Sequence, residues 1–200
     1  MKAIKQKTRI RLAAFFFALL LAFPAWAYDF PLSENSIRQA YYLGTRATAL
    51  GPDFLSHYTH KITEFSVGRY ISTLTVETPF AQVAVFASKQ LNYTVQDAVK
   101  QFSGKALPFR IHIDIIYALD APPNAVKVQV IQNKKELIPD SAERSPYFPR
   151  SDKYTRASSI GESLLLEFNA AKIDSSNLTI LIDTPEGQHV LADFDLSRLR

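Results

Sequence analysis

Cysteine is absent from all 200 residues, and methionine and tryptophan occur once each. Without a thiol there is no disulfide, no thiolate nucleophile and no cysteine-ligated metal. There is also no cysteine to which a bacterial lipoprotein could attach lipid, so the chain is expected to be released soluble. Glycine is scarce: the six in the chain form neither a G-x-S-x-G nucleophile elbow nor a G-x-x-x-x-G-K phosphate cradle. A long apolar run is missing as well. The longest, Leu12 to Phe23, has 12 residues and stops at Pro24, short of the roughly 20 that a membrane-spanning helix needs.

That run has a revealing context. Lys2, Lys5, Lys7, Arg9 and Arg11 precede it and Ala25-Trp26-Ala27 follows it, the layout of a secretory signal peptide over residues 1–27 with cleavage between Ala27 and Tyr28. The expectation is a secreted or periplasmic protein with no membrane span in the mature chain. Five of the 23 Lys and Arg leave with the leader, so 18 face 19 Asp and Glu. The isoelectric point near 9.2 therefore belongs to the precursor, and it gives no ground for nucleic acid or an anionic membrane as partner. The remaining 173 residues, 28–200, suit a single domain that buries about 70% of its unfolded surface and is held by its core alone.

The mature chain changes character near Pro108. Residues 28–107 read as mainly helical with one strand near 69–78, and 108–200 as mainly β. Ser33 can cap a helix in which Ile37, Ala40, Tyr41 and Gly44 recur at i, i+3, i+4 and i+7. Gly51-Pro52 suits the start of a second helix with Phe54, Leu55 and Tyr58 on its apolar face. "RYISTLTVET" alternates and is rich in Thr, Val and Ile, a strand. "TPFAQVAVFASKQ" places Phe80, Val83, Ala84 and Ala87 on one helical face, although residues 79–90 also admit a strand; "YTVQDAVKQF" reads as a short helix capped by Thr94. Beyond Pro108 the period is two. Phe109, Ile111, Ile113, Ile115 and Tyr117 oppose Arg110, His112 and Asp114; "VKVQVIQ", a loop at "NKKE" 133–136, "SLLLEF" and "LTILID" follow. The fold class expected is α+β, a helical N-terminal part packed on a C-terminal antiparallel β-sandwich, Ig-like or similar.

The closing stretch "DTPEGQHVLADFDL" crowds Asp183, Glu186, His189, Asp193 and Asp195 together, which raises the question of an acid and histidine site. Thr184 to Gln188 fits a hairpin loop with Gly187 in the left-handed position of a G1 bulge. Counting outward pairs Ile182 with Val190, Ile180 with Ala192 and Leu178 with Phe194, all apolar; the other face pairs Asp183 with His189, Leu181 with Leu191 and Thr179 with Asp193. A one-residue slip would destroy this agreement. His189 and Asp193 stand about 13 Å apart along a strand, too far to share a metal ion. The expectation is a sheet with a solvated face.

Three other groups are candidates for chemistry. In "DFLSHYTH", Asp53, His57 and His60 fall at i, i+4 and i+7, one stripe of a helix that could offer ligands to Zn²⁺; an ordinary solvated face is the favoured reading, because no H-E-x-x-H general base accompanies them. His112 beside Asp114 could be a base and its orienter, against a shared solvated strand face as the simpler account. "DSAERSPYFPRSDKYTRASS", Asp140 to Ser159, mixes four cations with three aromatics in a loop longer than compact domains usually carry. Either it only connects strands, or Arg150, Tyr154 and Arg156, with Tyr147 and Phe148, recognise a partner.

"IRQAYYLGTR", "TPFAQVAVFA" with "QDAVKQF", and "LTILIDTPEGQHVLADFDLSRL" resemble a group of uncharacterised secreted bacterial proteins. The resemblance implies export and a helical part joined to a β part, and supplies no activity or catalytic residue. The functional expectation is an exported, non-enzymatic binding or assembly module of the periplasm or cell exterior, without a cofactor, acting on an unknown exported protein or cell-envelope component. The alternative is a hydrolase or weakly metal-dependent enzyme using His57, His112 or His189 with neighbouring carboxylates.

Overall fold

The structure, a computed structural model, describes residues 29–46, 53–62, 70–117, 126–147, 160–185 and 187–199. Helix α1 (Glu34–Thr45) begins where Ser33 accepts from the Ser36 amide, and the Asp29 carboxylate in turn accepts from the Ser33 amide and hydroxyl. These bonds satisfy donors that a helix start leaves open. Helix α2 (Pro79–Lys89) is capped by Thr78 and carries Pro at its start; α3 (Val95–Phe102) opens with a full capping box between Thr94 and Asp97. The helical reading of residues 79–90 is thus the correct one of the two, since buried Phe80, Val83, Ala84 and Ala87 follow the helical period.

The strands are β1 (Thr59–Lys61), β2 (Tyr70–Glu77), β3 (Phe109–Tyr117), β4 (Lys127–Gln132), β5 (Lys135–Leu137), β6 (Ser141–Tyr147), β7 (Ile160–Phe168), β8 (Asn177–Asp183) and β9 (His189–Asp195). They form two antiparallel sheets, ordered β1-β2-β3-β7-β6 and β5-β4-β8-β9. The protein is therefore α+β with mostly β content. Among the described residues no helix is long and apolar enough to cross a membrane.

The larger sheet crosses the change of composition at Pro108, because β2 pairs with β3 along its whole length. A shift between Ile71 and Thr73 puts Ile71 on the same buried face as Leu74 and Val76, as a bulge does by inserting one residue against the pleat. The Ile71 amide donates to Gln188 Oε1 at 3.0 Å, tying the bulge to the β8–β9 loop of the other sheet. One buried cluster then draws on both sheets: Ile111, Ile113 and Ile115 with Leu164 and Leu166 from one, and Val130, Leu178, Ile180, Ile182 and Phe194 from the other.

The helices build a separate cluster from Ile37, Ala40, Phe80, Val83, Ala84, Ala98 and Phe102, and Phe54 packs against both clusters. Here α1 meets α2 backbone to backbone. A Cβ at Gly44 would lie 2.1 Å from the Ala84 carbonyl oxygen, so only glycine allows this approach.

The β8–β9 register is the one the alternation dictates, in all six pairs. Gly187 has φ +88°, and the Thr184 amide donates to the Gln188 carbonyl at 3.0 Å. Three expectations need correction. The segment after Pro52 is a 3₁₀ helix, Asp53–Tyr58, that gives way to β1, because pairing Thr59 with Thr75 and Lys61 with Thr73 satisfies the backbone better than a longer isolated helix. The loop at 133–136 is only Asn133-Lys134, both at positive φ (50° and 62°), the geometry of a two-residue hairpin turn. The first part of the expected 140–159 loop is the edge strand β6, paired with β7 from Ser141↔Glu167 to Tyr147↔Gly161. An edge strand with both faces mostly exposed has no apolar alternation to betray it, and Pro146 is tolerated there.

Candidate functional site

Once Ile37, Ala40 and Gly44 have turned inward, helical geometry leaves Tyr42 and Leu43 outside that stripe. Tyr42 is 50% exposed. It borders a pocket of about 510 Å³ that also receives Phe54, His57 and Tyr58 from the 3₁₀ helix, Phe80 from the first turn of α2, Arg46 from the end of α1, and Arg198 from the turn after β9. That volume lies within the range of about 300–1,000 Å³ typical of small-molecule sites. Phe54 and Tyr58 stand edge to face with ring centroids 6.2 Å apart, an arrangement that their four-residue spacing on a tight turn permits. Burial pushes the Tyr58 hydroxyl up to about 12, opposed in part by its hydrogen bond with Thr78. Tyr58 is thus a neutral phenol at physiological pH, unsuited to act as a base.

Next to this pocket, and sharing His57 and Arg198 with it, is a polar groove of about 540 Å³ lined by Thr59, His60, Asp193 and Asp195 among others. It brings together two groups far apart in the chain, the histidines of "DFLSHYTH" and the acids of the last strand. The carboxylates are already engaged. Thr179 Oγ1 donates to Asp193 Oδ1 at 2.5 Å, while Asp195 accepts from the Ser197 amide and hydroxyl and pairs with Arg198 Nε at 3.0 Å. Hydrogen bonds from Ser197, helped by Arg198 and outweighing desolvation, hold the Asp195 carboxyl below the usual carboxylate range.

The helical stripe of Asp53, His57 and His60 does not form, because His57 lies on the 3₁₀ helix and His60 on β1. Among the described residues no three His, Asp or Glu side chains are grouped so as to hold a metal ion. A third recess, about 360 Å³, opens between the sheets beside β4, β5 and β6, lined by Val128, Val130, Leu137, Leu164 and Leu166, with Ile138 80% exposed at its mouth. Arg144 borders it but is paired with Glu162.

The other sequence candidates fall elsewhere. His112 Nε2 lies 3.4 Å from Glu77 Oε2, in ion-pair range but out of line for a hydrogen bond. The carboxylate near it therefore belongs to the neighbouring strand. Asp114, expected as its orienter, instead accepts from Thr73 Oγ1 at 2.6 Å. Desolvation of Glu77 is outweighed by His112, Arg110 and Lys89, which hold its carboxyl below the ordinary value. His189 Nδ1 meets Asp183 Oδ1 at 2.7 Å on an open face, with His189 79% exposed, a surface pair of small energetic weight. Tyr147 ends β6, while Phe148, Arg150, Tyr154 and Arg156 lie outside the described residues.

Sequence reasoning missed Tyr42, Arg46, Phe80 and Arg198 as neighbours. One signal was available: "AYYLG" puts a large aromatic off the apolar stripe of a capped helix. Nothing local marks Arg198, which reaches the pocket only because β9 ends beside the 3₁₀ helix. No protein-family model matches the chain, and no curated protein matches it.

Proposed function

We propose that the chain is an exported, non-enzymatic binding module of the periplasm or cell exterior, with residues 1–27 removed as a signal peptide. In this reading the two sheets face one another as an Ig-like or similar sandwich, and the helical part packs on it to add a recognition site. The observation that carries the proposal is the pocket between α1, the 3₁₀ helix and Arg198: aromatic and cationic side chains line it together, and among the described residues there no nucleophile, base and orienter are assembled. The cation-preceded leader and the resemblance to secreted bacterial proteins support export. A hydrolase is the weaker reading. It needs a carboxylate-paired histidine beside a nucleophile in a cleft, whereas the His189–Asp183 pair lies on an open face, His112 Nε2 makes no hydrogen bond to Glu77, and Asp195 beside His57 is paired with Arg198.

The test is crosslinking of the native protein in its exporting cell, with N-terminal sequencing of the recovered chain. A chain beginning at Tyr28 and joined to a specific envelope partner or ligand is the expected result. Retention of residues 1–27, or turnover of an ester or amide substrate that His57→Ala abolishes, would replace the proposal with the alternative.

A further inference from the structure

We infer that the ligand of this pocket is an anionic amphiphile, an alkyl-chain carboxylate whose tail lies on the aromatic wall and whose head group meets the arginines. The inference deepens the binding-module reading and rests on it. Tyr42, Phe54 and Phe80 supply apolar lining for the tail and Arg46, His57 and Arg198 polar lining for the head group, with no Asp or Glu among the described residues that line the pocket. Asp195 offsets part of the Arg198 charge through Nε, but the Arg198 side chain is 83% exposed, and its remaining donors form a planar fork that suits a carboxylate, with Arg46 as the second cation of the lining. Tyr58, neutral as a buried phenol, does not repel an anion.

Two other recesses sharpen the assignment by contrast. The groove beside β9 presents Asp193 and Asp195, which disfavour an anion. The recess between the sheets is mainly apolar and carries a carboxylate of its own, Glu136. Of these recesses, the one beside Tyr42 joins apolar surface to two arginines with no Asp or Glu in its described lining.

Calorimetric titration of the purified protein with dodecanoate and with dodecylammonium, both below their micelle concentrations, tests this. Dodecanoate should bind saturably at one site, with dodecylammonium at least about tenfold weaker. Replacing Arg46 and Arg198 together with Gln should weaken dodecanoate by about tenfold or more and erase the preference over the cation. Tyr42→Ala, at an exposed position, should weaken dodecanoate while the circular dichroism spectrum stays unchanged. Equal affinity for the two amphiphiles overturns the inference, as does undiminished dodecanoate binding in the arginine and Tyr42 variants. Dodecanoate binding lost in Ile138→Asp instead would move the site to the recess between the sheets and also overturn it. Should the arginine variant unfold, the comparison of the two amphiphiles on the unaltered chain decides alone. Absence of saturable dodecanoate binding rejects this ligand class only; the export reading fails separately, through an intact residue 1–27 segment.

Discussion

In the two-sheet core, large side chains fill space between backbones: Ile113 on β3 is wholly buried, as are Leu74 and Ile180 on strands of the two sheets. In the helical cluster, α1 touches α2 through the absence of a side chain, with Gly44 against the Ala84 carbonyl. The two regions are therefore vulnerable in opposite ways. The sheets are weakened by taking atoms out and the helices by putting one in, because a filled interior loses contacts when truncated while a backbone contact has no room to accept a methyl group.

The largest effect should come from the sheets. Ile113→Ala should cost about 2–5 kcal/mol of unfolding free energy, the usual loss for a large-to-small change in a packed core. Urea unfolding followed by far-ultraviolet dichroism measures it, and a loss below about 1 kcal/mol would mean that the two sheets pack less tightly than described. Gly44→Ala, a change that favours an isolated helix by roughly 1 kcal/mol, should instead destabilise by about 1–3 kcal/mol as α1 is forced away from α2. Hydrogen exchange should then quicken in α1 and α2 more than in β3 or β8. Uniform acceleration would show that the two clusters unfold as one unit.

Smaller changes refine the contrast at the helix ends and on the sheet surface. Thr94→Ala removes the cap of α3 and should cost about 1 kcal/mol, read as faster exchange of the first amides of α3. Glu77 responds to pH. Its folded carboxyl lies below its ordinary value, so its stabilising contribution is complete above the ordinary glutamate range and is lost as acidification carries the pH down through the lowered value. Asp97, Asp140 and Asp195 are likewise lowered by the hydrogen bonds they accept, so acid destabilisation will not vanish when one carboxylate is changed. Glu77→Gln should flatten the fall in urea midpoint between pH 7 and acid relative to the unaltered chain; an identical slope would show that His112, Arg110 and Lys89 do not favour its charged form.

Local chemistry determined much of this protein without any tertiary information. Ser33, Thr78 and Thr94 start their helices where the cap rule places them, because those hydroxyls satisfy amides a few residues away. The β8–β9 hairpin follows from alternation and one glycine, since a slip of one residue would turn three apolar pairs out to water. The tertiary structure decided what depends on partners distant in the chain. β1 replaced the end of a helix because Thr75 of β2 lies opposite Thr59, and β6 became a strand because β7 offered an edge. His112 was drawn beside Glu77 through the pairing of β2 with β3, not toward the Asp114 two residues away. The pocket is of the same kind: Tyr42, Phe80 and Arg198 have no spacing in sequence that relates them, and they meet only because α1 can approach α2 at Gly44 while β9 ends beside the 3₁₀ helix. Short-range patterns encode caps, periods and turns, whereas a site assembled from four separate elements exists only after the backbone has been packed.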